Sequence, residues 1–396
     1  MQKPINELIS GKKCMSSEKI VERFLNSFFI QFQLSSMLRM LPIKKKRVLL
    51  FRLVLLLWLV SNSLCFTDFK RIAQTTMLEV PNSWLDTKTE VLLCTMIGKE
   101  APHLAEWVAY NRLIGVSRFV LFELSTDEAT RSVLKSLSYS HDLISVNETT
   151  WLTQDQLKLI HLANWTNNGD YHAIAAQICQ TLATRLAWWV LVIDPDEFIV
   201  MNNPQNFGKW LTGLRTTDNV GAVILQRNTH GTNGHKIRPQ KLLTLEAYPK
   251  MMYEDEAWAK LVTYVPAVVI RHNHFVRFGD PKYKCITVDG RSVDACEHPE
   301  TKITRSPDSS FFIAHMISRS WQECVEKNGK SGVSNWRRAS VGDLTRVFAE
   351  VFCIRFIQSA PKKNTPRLIT EQLARRVREE MAANHEHQIE RRTKLL

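Results

Sequence analysis

WWVLVIDPDEF, residues Trp188 to Phe198, is the stretch on which the fold reading turns. Its first six residues are apolar without a break, rich in aromatic and β-branched side chains. That is the pattern of a strand buried on both faces, as strands of parallel sheets are. Three acidic residues follow at once: Asp194, Asp196 and Glu197. In open α/β sheets, ligands bind at the carboxyl ends of strands. Residues i and i+2 of an extended chain point the same way, so Asp194 and Asp196 are expected to converge. Pro195 lacks an N–H and fixes φ, which suits a strand end. Two hard carboxylates there suit Mg²⁺ or Mn²⁺ bridging diphosphate oxygens. The competing reading is an acidic loop that only meets solvent, because a lone Asp-x-Asp is common.

Upstream, Val91 to Ile97 (VLLCTMI) reads as another buried strand. Glu100 to Ile114 follows with Leu104, Trp107, Val108 and Ile114 at helical spacing, and Gly115 supplies a stop. Arg118 to Phe122 is a second strand. This β-α-β order implies a parallel pair with a right-handed crossover. Ala173 to Leu186 is helical and leads into the central strand. Val220 to Gln226 and Lys260 to Ile270 are further strand candidates. Arg367 to Arg392 reads as a charged helix with Leu373, Val377 and Met381 on one face. The fold class is α/β, a mostly parallel sheet flanked by helices.

The chain has 396 residues, 44% hydrophobic and 23% charged, which is globular rather than disordered or fibrous. Its net charge of +13 sits mainly at the two ends. Residues 1–47 carry ten Lys and Arg against three Glu. A nucleic-acid partner is not expected, since it needs a basic stripe on the folded domain.

Val48 to Phe66 (VLLFRLVLLLWLVSNSLCF) follows Lys44-Lys45-Lys46-Arg47. As a helix it spans roughly 28 Å, near a bilayer's hydrocarbon thickness. The positive-inside rule then predicts a single-pass type II anchor with the bulk of the chain luminal. Arg52, about one turn in, can snorkel to the headgroups. A cleaved signal peptide and a buried core helix are the alternatives. Met40 would serve as a start, leaving 1–39 as an upstream extension.

The expected organisation is a cytoplasmic tail at 1–47, an anchor at 48–66, a stem at 67–89, a domain at 90–360 and a charged helical tail at 361–396. The expected location is the Golgi or another secretory-pathway membrane. The sequons Asn147-Glu148-Thr149 and Asn164-Trp165-Thr166 fit a lumen. Six cysteines follow the anchor, which allows fifteen pairings; Cys285 and Cys296 are the closest in sequence. No pair has CxxC spacing, so a zinc site is not expected.

Four blocks carry a resemblance. They are Gly98-Lys99-Glu100 through Glu106-Trp107-Val108-Ala109-Tyr110; Leu113-Ile114-Gly115-Val116 with Ser125-Thr126-Asp127; Trp189 through Ile193-Asp194-Pro195-Asp196-Glu197-Phe198; and Ala314-His315 with Arg319-Ser320-Trp321 and Lys327. Over about residues 90–335 the chain resembles glycosyltransferase family 92, in the family-2-like group of GT-A folds. The resemblance implies a nucleotide-binding βαβ half, carboxylates on a central strand and an acceptor half after it. Carried over by position, it places Glu100, Asp127 and Asp194 at the nucleotide sugar, and Asp194, Asp196 and His315 at the metal. His315 also reads as an ordinary buried histidine. His274 matches a further family histidine.

The implied activity is metal-dependent transfer of a hexose, galactose by the resemblance, from a UDP-sugar to a glycan hydroxyl, with inversion. An acceptor-side carboxylate would take the proton. Glu254, Asp255, Asp280 and Asp289 are the unranked candidates. The chain departs from the family pattern at Gly98-Lys99, Asn111 and Glu123-Leu124. These departures motivate the alternative, a non-catalytic carbohydrate-binding protein on the same fold. A phosphoryl-transfer enzyme with a two-metal site ranks last, for want of further Asp and His ligands.

Overall fold

The computed structural model describes residues 78, 80–124, 126–151, 168–201, 207–217, 219–271, 274–293, 296, 311–317, 319–324 and 368–395. All of them lie in one compact unit, Phe69–Leu396.

The apolar runs at 91–97, 118–122 and 188–193 form strands where the sequence places them, and Leu143–Val146 adds a strand that was not expected. β1 is Thr89–Ile97, β2 Arg118–Glu123, β3 Leu143–Val146 and β4 Ala187–Val192. They lie in the order β3-β2-β1-β4, all parallel. Helix α1 (Ala101–Leu113) crosses from β1 to β2, α2 (Glu128–Leu137) follows β2, and α3 (Asn168–Leu186) leads into β4. Gly115 ends the α1 segment at φ 105°, a conformation glycine adopts without strain.

β1 shows why the run is continuous rather than alternating. Val91 and Leu93 pack with Leu104, Trp107 and Val108 of α1, while Leu92 and Cys94 pack with Ile174, Ile178 and Cys179 of α3. Both faces are covered, so the run from Val91 to Cys94 is apolar without a break. The Cys94–Cys179 disulfide joins the strand to α3.

Beyond β4 the sheet changes character. β5 is Glu197–Met201, α4 Phe207–Arg215, β6 Val220–His230 and β7 Met251–Tyr264. β7 inserts antiparallel between β4 and β6. After β8 (Val268–Arg271) and β9 (Val276–Phe278), which form a separate ribbon, β10 (Lys284–Thr287) joins β6 in parallel and β11 (Ser292–Val293) closes that edge. β12 (Phe311–His315) pairs with β5 antiparallel and with β6 in parallel. The sheet is therefore mixed but still mostly parallel: β5, β7 and β11 run against the direction the other strands share. The strand expected over 260–270 is also two strands. Pro266, which cannot donate to a ladder, sits in a 3-10 turn at Val265–Ala267 that separates β7 from β8.

The expected fold class included a transmembrane helix, and this is corrected. Among the described residues no helix is long and apolar enough to cross a membrane. The long helices α3 and α5 (Glu371–Leu395) are interrupted by polar or charged residues throughout. The expected span, 48–66, the basic block before it and Asn164 lie outside the described residues.

Both ends of the described chain belong to the domain. Within the expected stem, Trp84 is buried and its Nε1 donates to the His141 carbonyl at 2.6 Å. The Arg118 guanidinium lies over its ring. In the expected tail, Ala374 and Val377 of α5 are buried in the same core as α1. Leu373 and Met381 pack beside them, as their spacing predicts. A second disulfide, Cys285–Cys296, closes the short loop that sequence proximity suggested.

Candidate active site

Asp194-Pro195-Asp196 is a tight turn between β4 and β5. The Glu197 amide donates to the Asp194 carbonyl at 3.0 Å. In return the Glu197 carboxylate accepts from the Asp194 amide at 2.9 Å. The end of β12 locks the turn, because the Met316 amide donates to the Asp196 carbonyl at 2.7 Å. The β5–β12 register pairs Glu197 with His315, which puts that histidine beside Asp196. His315 Nε2 lies 3.8 Å from Asp196 Oδ1, and their side chains are 11% and 9% exposed. That distance is an electrostatic pairing rather than a hydrogen bond.

Asp194 turns to a different partner. Lys260 of β7 places Nζ 2.8 Å from Asp194 Oδ2 and 3.2 Å from Glu197 Oε2, with its own side chain wholly buried. Arg227 of β6 reaches the other Glu197 oxygen at 3.3 Å. Burial, the largest single influence, would raise the Asp194 pKa, but the Lys260 ammonium together with His172 and His315 outweighs it and holds the carboxyl well below the usual range. Burial likewise opposes the charge on Lys260, and Asp194 and Glu197 together hold it above the ordinary lysine value. His172 of α3 faces the remaining oxygen, with Nδ1 3.5 Å from Asp194 Oδ1. Burial lowers the His172 pKa more than the neighbouring carboxylates raise it, so the ring is neutral.

Glu100 stands at the N-terminus of α1, at the carboxyl edge of β1. Arg319 spans from it to the turn. Its Nη1 and Nη2 lie 3.3 and 3.4 Å from Glu100 Oε2, and Nη2 donates to the Pro195 carbonyl at 3.2 Å. Burial disfavours this guanidinium, but Glu100, Asp196 and Glu323 more than compensate. Asp127 is a helix cap: its Oδ1 accepts from the Thr130 amide at 2.9 Å. Thr130 Oγ1 in turn accepts from the Ala101 amide at 3.2 Å, tying the starts of α1 and α2 together.

Among the described residues, no three His, Cys, Asp or Glu side chains gather as a metal-holding cluster. The donors at the turn fit a cation of another kind. Mg²⁺ and Mn²⁺ at nucleotide sites take one or two protein carboxylates and complete their shell from substrate phosphates. Asp196 offers a carboxylate and His315 an imidazole within 3.8 Å of each other, which is such a partial set.

The profile of glycosyltransferase family 92 matches residues 89–338. The chain belongs to glycosyltransferase family 92. A family 92 protein from Ricinus communis is 25% identical over 167 residues, 42% of this chain and 27% of that protein. One from Oryza sativa subsp. japonica is 22% identical over 161 residues, 41% of this chain and 25% of that protein. The chain thus spans about a quarter of the length of these curated relatives. Among solved structures, S. aureus TarS 1-349 in complex with UDP is similar at 9% identity, covering 67% of this chain and 71% of that one, with a TM-score of 0.31. Glucosyl-3-phosphoglycerate synthase from Mycobacterium tuberculosis, with Mn²⁺, UDP and glucosyl-3-phosphoglycerate, covers 59% and 80% at 12% identity and a TM-score of 0.28. Scores this low say nothing about the chemistry of the present chain.

The order implied by family 92 is the order observed: a β1-α1-β2 half, carboxylates after central β4, then the β5–β12 half. Glu100, Asp194, Asp196 and His315 come together around the turn, whereas Asp127 is used as a cap. His274 is anchored on the strand, its Nδ1 bonding the Ala259 carbonyl at 3.0 Å. Burial, with Lys260 nearby, lowers its pKa to about 3.

The four acceptor-side candidates separate. Glu254 and Asp255 lie in β7, opposite Asn228 and Arg227 in register. Asp280 caps its own turn through the Lys282 amide at 2.9 Å. Asp289 closes the β10–β11 turn with Thr287 and Arg291. β10 lies three strand positions from β4, about 14 Å at ordinary strand spacing. Sequence reasoning gave no role to Lys260, His172 or Arg227. Lys260 left a trace, a single cation inside the apolar run AKLVTYV. Nothing local marks His172, whose place depends on how α3 packs.

Proposed function

We propose that this family 92 chain is a metal-dependent hexosyltransferase, moving a hexose from a UDP-sugar to a glycan hydroxyl with inversion. Galactose is the sugar taken from the family resemblance. The observation that carries the reading is the pairing of Asp196 with His315 at the carboxyl edge of β4. These two residues would hold Mn²⁺ or Mg²⁺, which when bound offsets charge developing on the departing diphosphate. Arg319, kept ionised and anchored on Glu100 and Pro195, adds fixed positive charge behind the turn. Asp194 is fixed by Lys260 and presents its other oxygen beside His172. The acceptor oxygen bonds to the anomeric carbon as the bond to the β-phosphate oxygen breaks. The acceptor proton passes to a carboxylate, for which β7 supplies Glu254 and Asp255.

The Cys94–Cys179 and Cys285–Cys296 disulfides support a luminal setting, since such bonds persist in oxidising compartments. The test is UDP release by the purified chain with Mn²⁺ and a panel of UDP-hexoses, against Asp196→Asn. Release dependent on Mn²⁺ and lost in the variant is expected. Equal release by both proteins overturns the assignment.

A further inference from the structure

Lys260 is the least expected residue at the turn. A lysine is rarely buried unless paired, and this one has no side-chain exposure at all. Its ammonium sits 2.8 Å from Asp194 Oδ2 and 3.2 Å from Glu197 Oε2. Glu197 is equally buried and is held in place twice more, by Arg227 and by the Asp194 amide. The result is a fixed rail, Arg227–Glu197–Lys260–Asp194, with charges of alternating sign. It ends at its most exposed member, Asp194, whose side chain is 25% exposed against 12% for Arg227.

The two acidic residues of the turn are therefore not equivalent. Asp194 has one oxygen committed to an internal cation, which compensates its charge at contact distance. A divalent ion placed on the same carboxylate would meet that ammonium's repulsion. Each carboxylate has an imidazole beside it, His172 at 3.5 Å from Asp194 and His315 at 3.8 Å from Asp196, so it is the ammonium held on Asp194 that sets the two apart.

We propose that Lys260 is a positioning residue of the donor site, holding and compensating Asp194 so that the divalent cation falls to Asp196 and His315 while Asp194 offers the ligand only a hydrogen-bond acceptor. The inference rests on the proposed function and divides its carboxylates between two tasks. Arginine is a poor replacement, because its planar fork does not reproduce a compact ammonium between two oxygens.

The experiment reads binding rather than turnover, on the full chain. Mn²⁺ affinity is followed by the electron paramagnetic resonance of free Mn²⁺, and UDP affinity by calorimetry at saturating Mn²⁺. Asp196→Asn is expected to weaken Mn²⁺ by about tenfold or more, and Asp194→Asn by less than about threefold. Asp194→Asn should instead weaken UDP by about tenfold, the loss of one good acceptor. Lys260→Met, with its fold checked by circular dichroism, should weaken UDP while tightening Mn²⁺. Should that variant not fold, the Asp194→Asn arm decides. Equal Mn²⁺ losses in Asp194→Asn and Asp196→Asn overturn the inference and leave the metal reading standing. Undiminished Mn²⁺ binding by Asp196→Asn overturns both.

Discussion

Arg319 and Glu100 join two distant parts of the chain, 219 residues apart, with guanidinium nitrogens 3.3 and 3.4 Å from one carboxylate oxygen. The same side chain holds the Pro195 carbonyl at 3.2 Å. The start of α1 and the acidic turn are thereby fixed to each other by one cation that is 9% exposed.

Removal of that cation is expected to be costly. Arg319→Ala leaves Glu100 and the turn without their shared partner and should cost about 3 kcal/mol, typical of a broken buried pair. Arg319→Lys should recover less than half, since a point charge cannot serve Glu100 and Pro195 at once. Urea unfolding of the three proteins measures both values, and full recovery in Arg319→Lys would contradict the geometry.

Lys260→Met strands Glu197, whose side chain has no exposure, with Arg227 as its remaining cation. A loss of about 3–5 kcal/mol is expected. Lys260→Met combined with Glu197→Gln should cost less than the two single changes added, because the double variant buries no uncompensated carboxylate. A double-mutant cycle by chemical denaturation reads this coupling, and strict additivity would deny the contact.

His230, fully buried on β6, has its pKa lowered to about 4 by burial, against a hydrogen bond from Nδ1 to the Tyr248 carbonyl that opposes the shift. The unfolded chain takes up this proton near pH 6.5 and the folded chain only near 4. Between those values the unfolded state binds more protons, so stability falls as pH falls. The full drop is about 3 kcal/mol for this one group. Tm measured from pH 7 to pH 4 should decline less steeply in His230→Gln than in the parent chain.

The Cys94–Cys179 bond closes a sequence separation of 85 residues, and Cys285–Cys296 one of 11. Loop-closure entropy makes the longer bridge the more stabilising, about 4.5 kcal/mol against about 3. Paired Cys→Ala changes, followed by thermal unfolding without reductant, should lower Tm more for Cys94 and Cys179.

What the sequence made legible was local. β1, β2 and β4 were readable almost to the residue, because each is covered on both faces and so runs apolar without a break. The acidic turn after β4 was readable for the same reason. The β5–β12 pairing was not, since its partners are more than a hundred residues apart and only register brings His315 to Asp196. Pro266 was visible in the sequence, yet a continuous apolar run around it reads as one strand until pairing shows two. The commitment of Asp194 to Lys260 was hidden because β7 enters antiparallel from the other half of the sheet, and strand direction leaves no mark in composition.

Helix α5 carries a consequence for biosynthesis. Arg112, at the end of α1, binds Asp142 of the loop before β3 and also reaches Glu380 and Asn384 of α5, up to 272 residues later. Ala374 and Val377 cover apolar side chains of the first-made half. That half leaves the ribosome with this surface bare and stays so until residues past 380 have emerged. Such late closure exposes a nascent chain to wrong association for most of its translation. Truncation before α5 should therefore be felt at the opposite end of the sequence, as aggregation of the β1-α1-β2 unit.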